Sequence, residues 1–386
     1  MGDEQSLSAD EQLAAARAAF EEAQDFSLAV EEEFAILEPE TLSLTNRFEE
    51  LQAAARDTEL GEHLVGELIA SEVEIRTGRC ETFTEAAARM GERRDQLQAL
   101  ADQLEGGVVL GGTGTHPWSP WQEQRIIDTP HYRRNDEILR YVVWRNNSFG
   151  LHVHVAINGA DRAIQVCDWL RHLLPEILAL SASSPFHENV FTHLHSTRSE
   201  IFTKFFPRCG IPDAYGDWQT FDHYVRALYR TGSITEHTQL WWSVRPHLAY
   251  PTVEIRIADA QPELGEARSL AAFAYALTVR IARALDDGEP VPLPPPRFIE
   301  ENFWRAIRYG LTGELLDLER LENVATRERL EQLIEWVSPV ADEIGAAPFL
   351  AVPAANAAER QIARYEEGAT LEEIYAEQVR PKEPVV

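Results

Sequence analysis

VEEEFAIL, residues 30–37, sets three consecutive acids inside an apolar run. Side chains of a strand alternate between its two faces. Read as a strand, the segment puts Glu31 and Glu33 on one face and Val30, Glu32 and Phe34 on the other. Three further segments repeat the design. In LVGELIASEVEIRT (64–77), Glu72, Glu74 and Arg76 oppose Val73 and Ile75. In FGLHVHVAI (149–157), His152 and His154 oppose Leu151, Val153 and Val155. In PTVEIRIAD (251–259), Glu254 and Arg256 oppose Val253, Ile255 and Ile257.

Any half-buried antiparallel strand alternates apolar with solvated residues. These four are unusual in what they offer on the polar side: carboxylate, imidazole and guanidinium, and no lysine. Such a face repels itself unless cations sit on it. Oxygen ligands joined by an imidazole suit Mg2+ or Mn2+, and Mg2+ keeps waters and bridges phosphates. The strands therefore point to a metal-bearing sheet face that binds a polyphosphate. No G-x-x-x-x-G-K-[ST] is present, since GGTGTHPW (111–118) lacks the lysine, so a P-loop is excluded. Phosphate grip then falls to arginines, of which Arg198, Arg208, Arg245 and Arg256 lie between the third strand and the end of the fourth. Two other readings stay open on residues alone. His152-x-His154, or the second H-x-H at His193 and His195, could begin a zinc site for hydrolysis. A fold of this kind could also bind nucleotide without turning it over. No G-x-S-x-G occurs, and Cys80, Cys167 and Cys209 are widely spaced without a C-x-x-C pair, which argues against nucleophilic catalysis, a thiolate zinc site and a disulfide framework.

Around the strands, 9–24 reads as an alanine-rich helix capped by Ser8 or Asp10, Thr84 as the cap of a helix reaching about Leu104, and 161–181 as a helix capped by Asp161. A helix follows the fourth strand at about 263–286. The segment 183–220 lacks a period and reads as long functional loops. After the proline-rich connector 288–298, the chain reads as helical throughout 299–379, with Thr370 and Glu373 forming a capping box. The fold class is α+β: an N-terminal helix (1–25), then one domain over 26–380 whose last part, about 298–380, is helical. The 386 residues carry 35 Lys+Arg against 64 Asp+Glu, a net charge of −29, and only Lys204 and Lys382 are lysines. That charge argues against nucleic acid and anionic membrane as partners. There is no apolar run long enough to span a bilayer, and the acidic start MGDEQSLSADEQ lacks a signal peptide's features, so cytoplasm is the expected compartment.

Taken together, VEEEFAIL (30–37), SEVEIRTG (71–78), GTHPW (114–118), FGLHVHVAI (149–157), STRSEIFTKFFPRCGIPDAY (196–215), QLWWSVRPHLAYPTVEIRIADAQ (239–261) and ENFWRAIRYGL (301–311) resemble the glutamate–cysteine ligase type 2 family, carboxylate–amine ligases of glutamine synthetase-like fold. The resemblance implies a curved antiparallel sheet whose concave face holds ATP, Mg2+ and an amino acid, with helices outside. It implies transfer of the γ-phosphoryl group of ATP to the side-chain carboxylate of glutamate, then attack by an amine, that of cysteine in the first instance. Carried over by motif, Glu31, Glu33, Glu74, His152 and Glu254 would be metal ligands, and Arg256 and Arg198 catalytic. Arg245, His154, Arg76 and Trp242 would contact substrate or ATP, with Glu72 behind them. Related folds suggest a homodimer. The chain departs from the family pattern at His193, Ala156 and Ser243, which points to the acceptor pocket as the variable part.

Overall fold

Seven strands join in one open sheet in the computed structural model, which describes residues 8–379. They are β1 (Leu28–Leu37), β2 (Leu64–Val65), β3 (Glu72–Arg76), β4 (Val109–Gly111), β5 (Gly150–Ala156), β6 (Val244–His247) and β7 (Thr252–Asp259). Their spatial order is β6-β7-β5-β1-β3-β2, with β4 paired to the end of β1, and every pairing is antiparallel. The α+β class expected from the sequence is the one found. The expected second strand is two, β2 and β3, parted by an irregular stretch that includes Gly66 and Glu67.

The apolar faces do what alternation requires. Val30, Val153, Val155, Val253 and Ile255 are buried against the helices Ala160–Leu170 and Leu264–Asp286. Each such side chain contributes roughly 1.5–3 kcal/mol by leaving water, which helps offset the cost of the charges on the opposite face. Glu32, on the apolar side of β1, is held by Arg94, whose Nη2 lies 2.5 Å from Oε1. Arg94 also donates to the carbonyls of Gln261 and Pro262 at 2.9 and 3.1 Å.

Helix boundaries shift for local reasons. Ser8, not Asp10, caps Ala9–Glu22, through a capping box with Glu11. Thr82, not Thr84, caps Phe83–Gln103 by accepting the Glu85 N–H at 3.2 Å. The expected helix over 161–181 is two, Ala160–Leu170 and Leu174–Ser181, because Pro175 cannot donate within a continuous helix and opens the second one. Asp161 caps neither, and instead accepts the N–H of Trp218 at 2.9 Å. The C-terminal part is not helical throughout. Between the helices Pro296–Tyr309 and Thr326–Ala341 lies a hairpin, β8 (Glu314–Leu316) with β9 (Asn323–Ala325). The Thr370–Glu373 capping box is present before Leu371–Val379, and Tyr375 of that helix is buried against His116 and Trp118.

Candidate active site

The charged residues of five strands form rows across the sheet. Arg245, Glu254 and His154 are cross-strand neighbours in the first row. His152, Glu31 and Arg76 form the second. Glu33 and Glu74 form the third, beside Gly150. β7 has one extra residue between Ile255 and Ala258 relative to β5. This bulge turns the carbonyls of Arg256 and Ile257 toward Arg198, whose amino groups donate to them at 3.4 and 3.2 Å. Gly150 is required by close approach: its N–H donates to Glu33, and a Cβ there would overlap an Arg198 amino nitrogen. The rows floor a cavity of about 300 Å³.

Ten of the eleven sequence-chosen residues line that cavity: Glu31, Glu33, Glu74, Arg76, His152, His154, Arg198, Arg245, Glu254 and Arg256. Trp242 does not. It is 5% exposed and packs among Tyr215, Phe221 and Tyr224, while Trp241 turns the other way and lines the cavity. The second H-x-H stays outside as well, as do Ala156 and Ser243, so none of the three family departures borders the cavity. Arg208 stacks on Trp241 and donates to the Gln239 carbonyl. The residue the sequence reading missed is Glu67, which joins Glu72, Glu74 and Glu33 at the β2–β3 side. Also unpredicted were His247 and Tyr250 on the β6–β7 hairpin, and His131, Tyr132 and Asn135 from the helix Pro130–Leu139 above the sheet. Asp259, at the end of β7, ties the loops together by accepting from Ser183, Ser184 and Ser196 at 2.7–3.0 Å.

Charge is unevenly shared. Burial would raise Glu254, but Arg245 and Arg256 outweigh it and hold the carboxyl well below its usual range. Arg245 Nε lies 2.6 Å from Glu254, and Arg256 donates to the other oxygen. Glu31 is likewise held down against its burial by His154, His152 and Arg76. Glu72 and Glu74 are the reverse: burial, then the neighbouring acids, push both well up, and Glu67 is pushed up to about 7 by burial and Glu33. Two sets of donors converge closely enough to share one ion: Glu31, His152 and Glu254, and Glu33, Glu74 and His152. His152 stands between them, Nδ1 3.4 Å from Glu31 and Nε2 3.6 Å from Glu33. Burial and Arg256 hold its imidazole below the usual range, the neutral form a metal needs. His152 Nδ1 and His154 Nε2 are buried without a hydrogen-bond partner. Clustered acids driven to keep protons, with unpartnered imidazole nitrogens beside them, fit the donor set of a divalent cation.

Residues 28–375 match the glutamate-cysteine ligase family 2. The chain belongs to this family. It is similar to a candidate glutamate–cysteine ligase 2 of Solibacter usitatus (strain Ellin6076), 35% identical over 353 residues, 90% of this chain and 91% of that one. A second such relative, from Gloeobacter violaceus, is 35% identical and covers 91% of this chain and 95% of its own. Among solved structures, a glutamate–cysteine ligase of Francisella tularensis in complex with AMP superposes with a TM-score of 0.65 at 13% identity, covering 92% of this chain and 88% of that one. A bifunctional glutathione synthetase of Pasteurella multocida gives 0.63 at 13% identity over 95% of this chain and 53% of its own. These two likenesses speak to the fold. Family membership makes the protein a carboxylate–amine ligase, and the zinc-hydrolase reading of His152 and His154 gives way to it. No helix among the described residues is long and apolar enough to cross a membrane.

Proposed function

We propose that this face carries out ATP- and Mg2+-dependent ligation of the side-chain carboxylate of glutamate to an amine, with cysteine as the reference acceptor and γ-glutamylcysteine as its product. What supports the reading most is that two carboxylate-rich donor sets meet at His152, next to Arg256 and Arg245. Glu31, His152 and Glu254 would hold one ion, and Glu33 and Glu74, with Glu67 beside them, the other. Mg2+ or Mn2+ bound there supplies neutralisation of phosphate charge. Arg256, anchored by Glu254, is placed to neutralise the transferring phosphoryl group, with Arg245 behind it. Arg198, fixed by the bulge carbonyls, lines the cavity and would meet a substrate carboxylate or phosphate there. Arg76, held by Glu74 at 2.5 Å and Glu31 at 3.2 Å, closes the floor, and His154 faces the nucleotide. The glutamate side chain attacks the γ-phosphorus, ADP leaves, and the amine nitrogen then displaces phosphate from the acyl carbon.

ADP release is measured with ATP, Mg2+, glutamate and cysteine, and the dipeptide is identified by mass. Release that depends on both amino acids is expected. A protein that binds ATP, as seen by a rise in melting temperature, yet releases no ADP with any amino-acid pair is a binding protein, and the reading fails.

A further inference from the structure

The cavity has two unlike ends. At one, the β6–β7 hairpin brings Arg245, His247 and Tyr250 over the Glu254–His154 row. The rings of His247 and Tyr250 stack there, 5.1 Å apart, with Tyr250 well exposed. At the other end, Leu68, Leu139, Val143, Phe202, Phe206 and Trp241 form an apolar wall beside the third row. Phe202 and Phe206 are 5.0 Å apart, and Phe206 meets Trp241 edge-on at 5.5 Å. Leu68 follows Glu67 directly, and the Tyr132 hydroxyl donates to the Gly66 carbonyl at 2.9 Å, seating the overlying helix on the acids. Packing fixes the wall, whose buried members form a hydrophobic cluster of their own.

The ligation proposed above needs three ligands. ATP puts phosphates among the arginines of the first two rows, with its base toward the stacked His247 and Tyr250. Glutamate is charged at every end. Only the amine is free to have an apolar body, and only the wall offers it a seat. A carboxylate on that body would lie next to Glu67 and Glu72, where the nearby guanidinium groups are already engaged: Arg198, 5.6 Å over the Phe202 ring, by the bulge carbonyls, and Arg256 by Glu254.

Resting on that ligase reading, we infer that the wall is an acceptor subsite giving the enzyme a further activity, γ-glutamylation of primary amines that carry an apolar or aromatic body and no carboxylate. The step balances without another reactant. The amine nitrogen bonds to the γ-carbonyl carbon and the carbon–oxygen bond to phosphate breaks. The nitrogen's proton leaves with the phosphate, yielding a γ-glutamyl amide and hydrogen phosphate.

ADP release and product mass are followed with ATP, Mg2+ and glutamate plus 2-phenylethylamine, phenylalanine, cysteamine or cysteine. The γ-glutamyl amide of 2-phenylethylamine is expected, with kcat/KM roughly tenfold or more above that for phenylalanine. Phe202→Ala is expected to raise KM for 2-phenylethylamine roughly tenfold while KM for ATP and for glutamate stays within about twofold. If that variant melts below the assay temperature, Phe202→Leu keeps most of the volume and should lose preference for 2-phenylethylamine over an aliphatic amine. Turnover of cysteine without turnover of 2-phenylethylamine overturns this inference alone. So does equal use of phenylalanine, or a Phe202 variant that moves KM for ATP instead. No ADP with any amine overturns the ligase reading and this inference with it.

Discussion

Glu254→Gln separates two jobs that one carboxylate performs. Its side chain is 1% exposed and accepts from Arg245 Nε at 2.6 Å, from Arg245 Nη2 at 3.3 Å and from Arg256. Glutamine keeps one acceptor oxygen but replaces the other with an amide that points donors at a guanidinium. Two buried cations then lose their common counter-charge. Removing one member of a buried ion pair costs about 3–5 kcal/mol, so the variant should unfold at markedly lower urea. It also loses a donor of the first metal set, and turnover should fall roughly 100- to 1,000-fold. The double variant Glu254→Gln with Arg245→Met removes the excess cation, and should recover about 1–2 kcal/mol of stability but none of the activity. Urea unfolding and ADP release on the three proteins decide it. A single variant within about 1 kcal/mol of the parent would refute the buried arginine–glutamate–arginine cluster. Undiminished turnover would refute the metal and phosphate assignment.

Arg94→Met strips Glu32 of its counter-charge and two carbonyls of their donor. A loss of about 3–5 kcal/mol in urea unfolding is expected, largely restored by adding Glu32→Gln. Trp242→Ala should cost about 3–5 kcal/mol with KM values unchanged, because its ring packs among Tyr215, Phe221 and Tyr224 away from the cavity. Glu67 links pH to metal. Its folded carboxyl is raised from 4.5 to about 7, so it favours the folded state at low pH, and that contribution is lost as pH rises through this window. Metal-free protein should therefore lose stability between about pH 4.5 and 7, and Mg2+ should bind more tightly at pH 8 than at pH 6, releasing protons that calorimetry in two buffers can count.

The sheet was legible because its period is short and strict. Once Glu31 and Glu33 share a face, so must His152 with His154 and Glu254 with Arg256 (up to the bulge), and pairing brings them together. Glu67 was hidden because it sits in an irregular stretch with no alternation to read, and only the folded path returns it to Glu74. Trp241 and Trp242 belong to a two-residue strand, too short for pattern to say which ring faces the cavity. The hairpin at 314–325 was read as helix because GELLDLERLENV carries leucines at near-helical spacing. Pro175 was visible, but the apolar residues on either side masked the break it makes.

One imidazole stands between the two candidate centres, with a nitrogen toward each. A neutral imidazole has one lone pair to give, the other nitrogen being occupied by its proton. Whichever ion took His152 would leave its neighbour to carboxylate and water alone. Two ions held there would be bound unequally: one would have a nitrogen among its donors, and the other only oxygen, the donor that Mg2+ favours. The position of a single proton on His152 would set which centre receives the nitrogen, and moving that proton to the other ring nitrogen would exchange their roles.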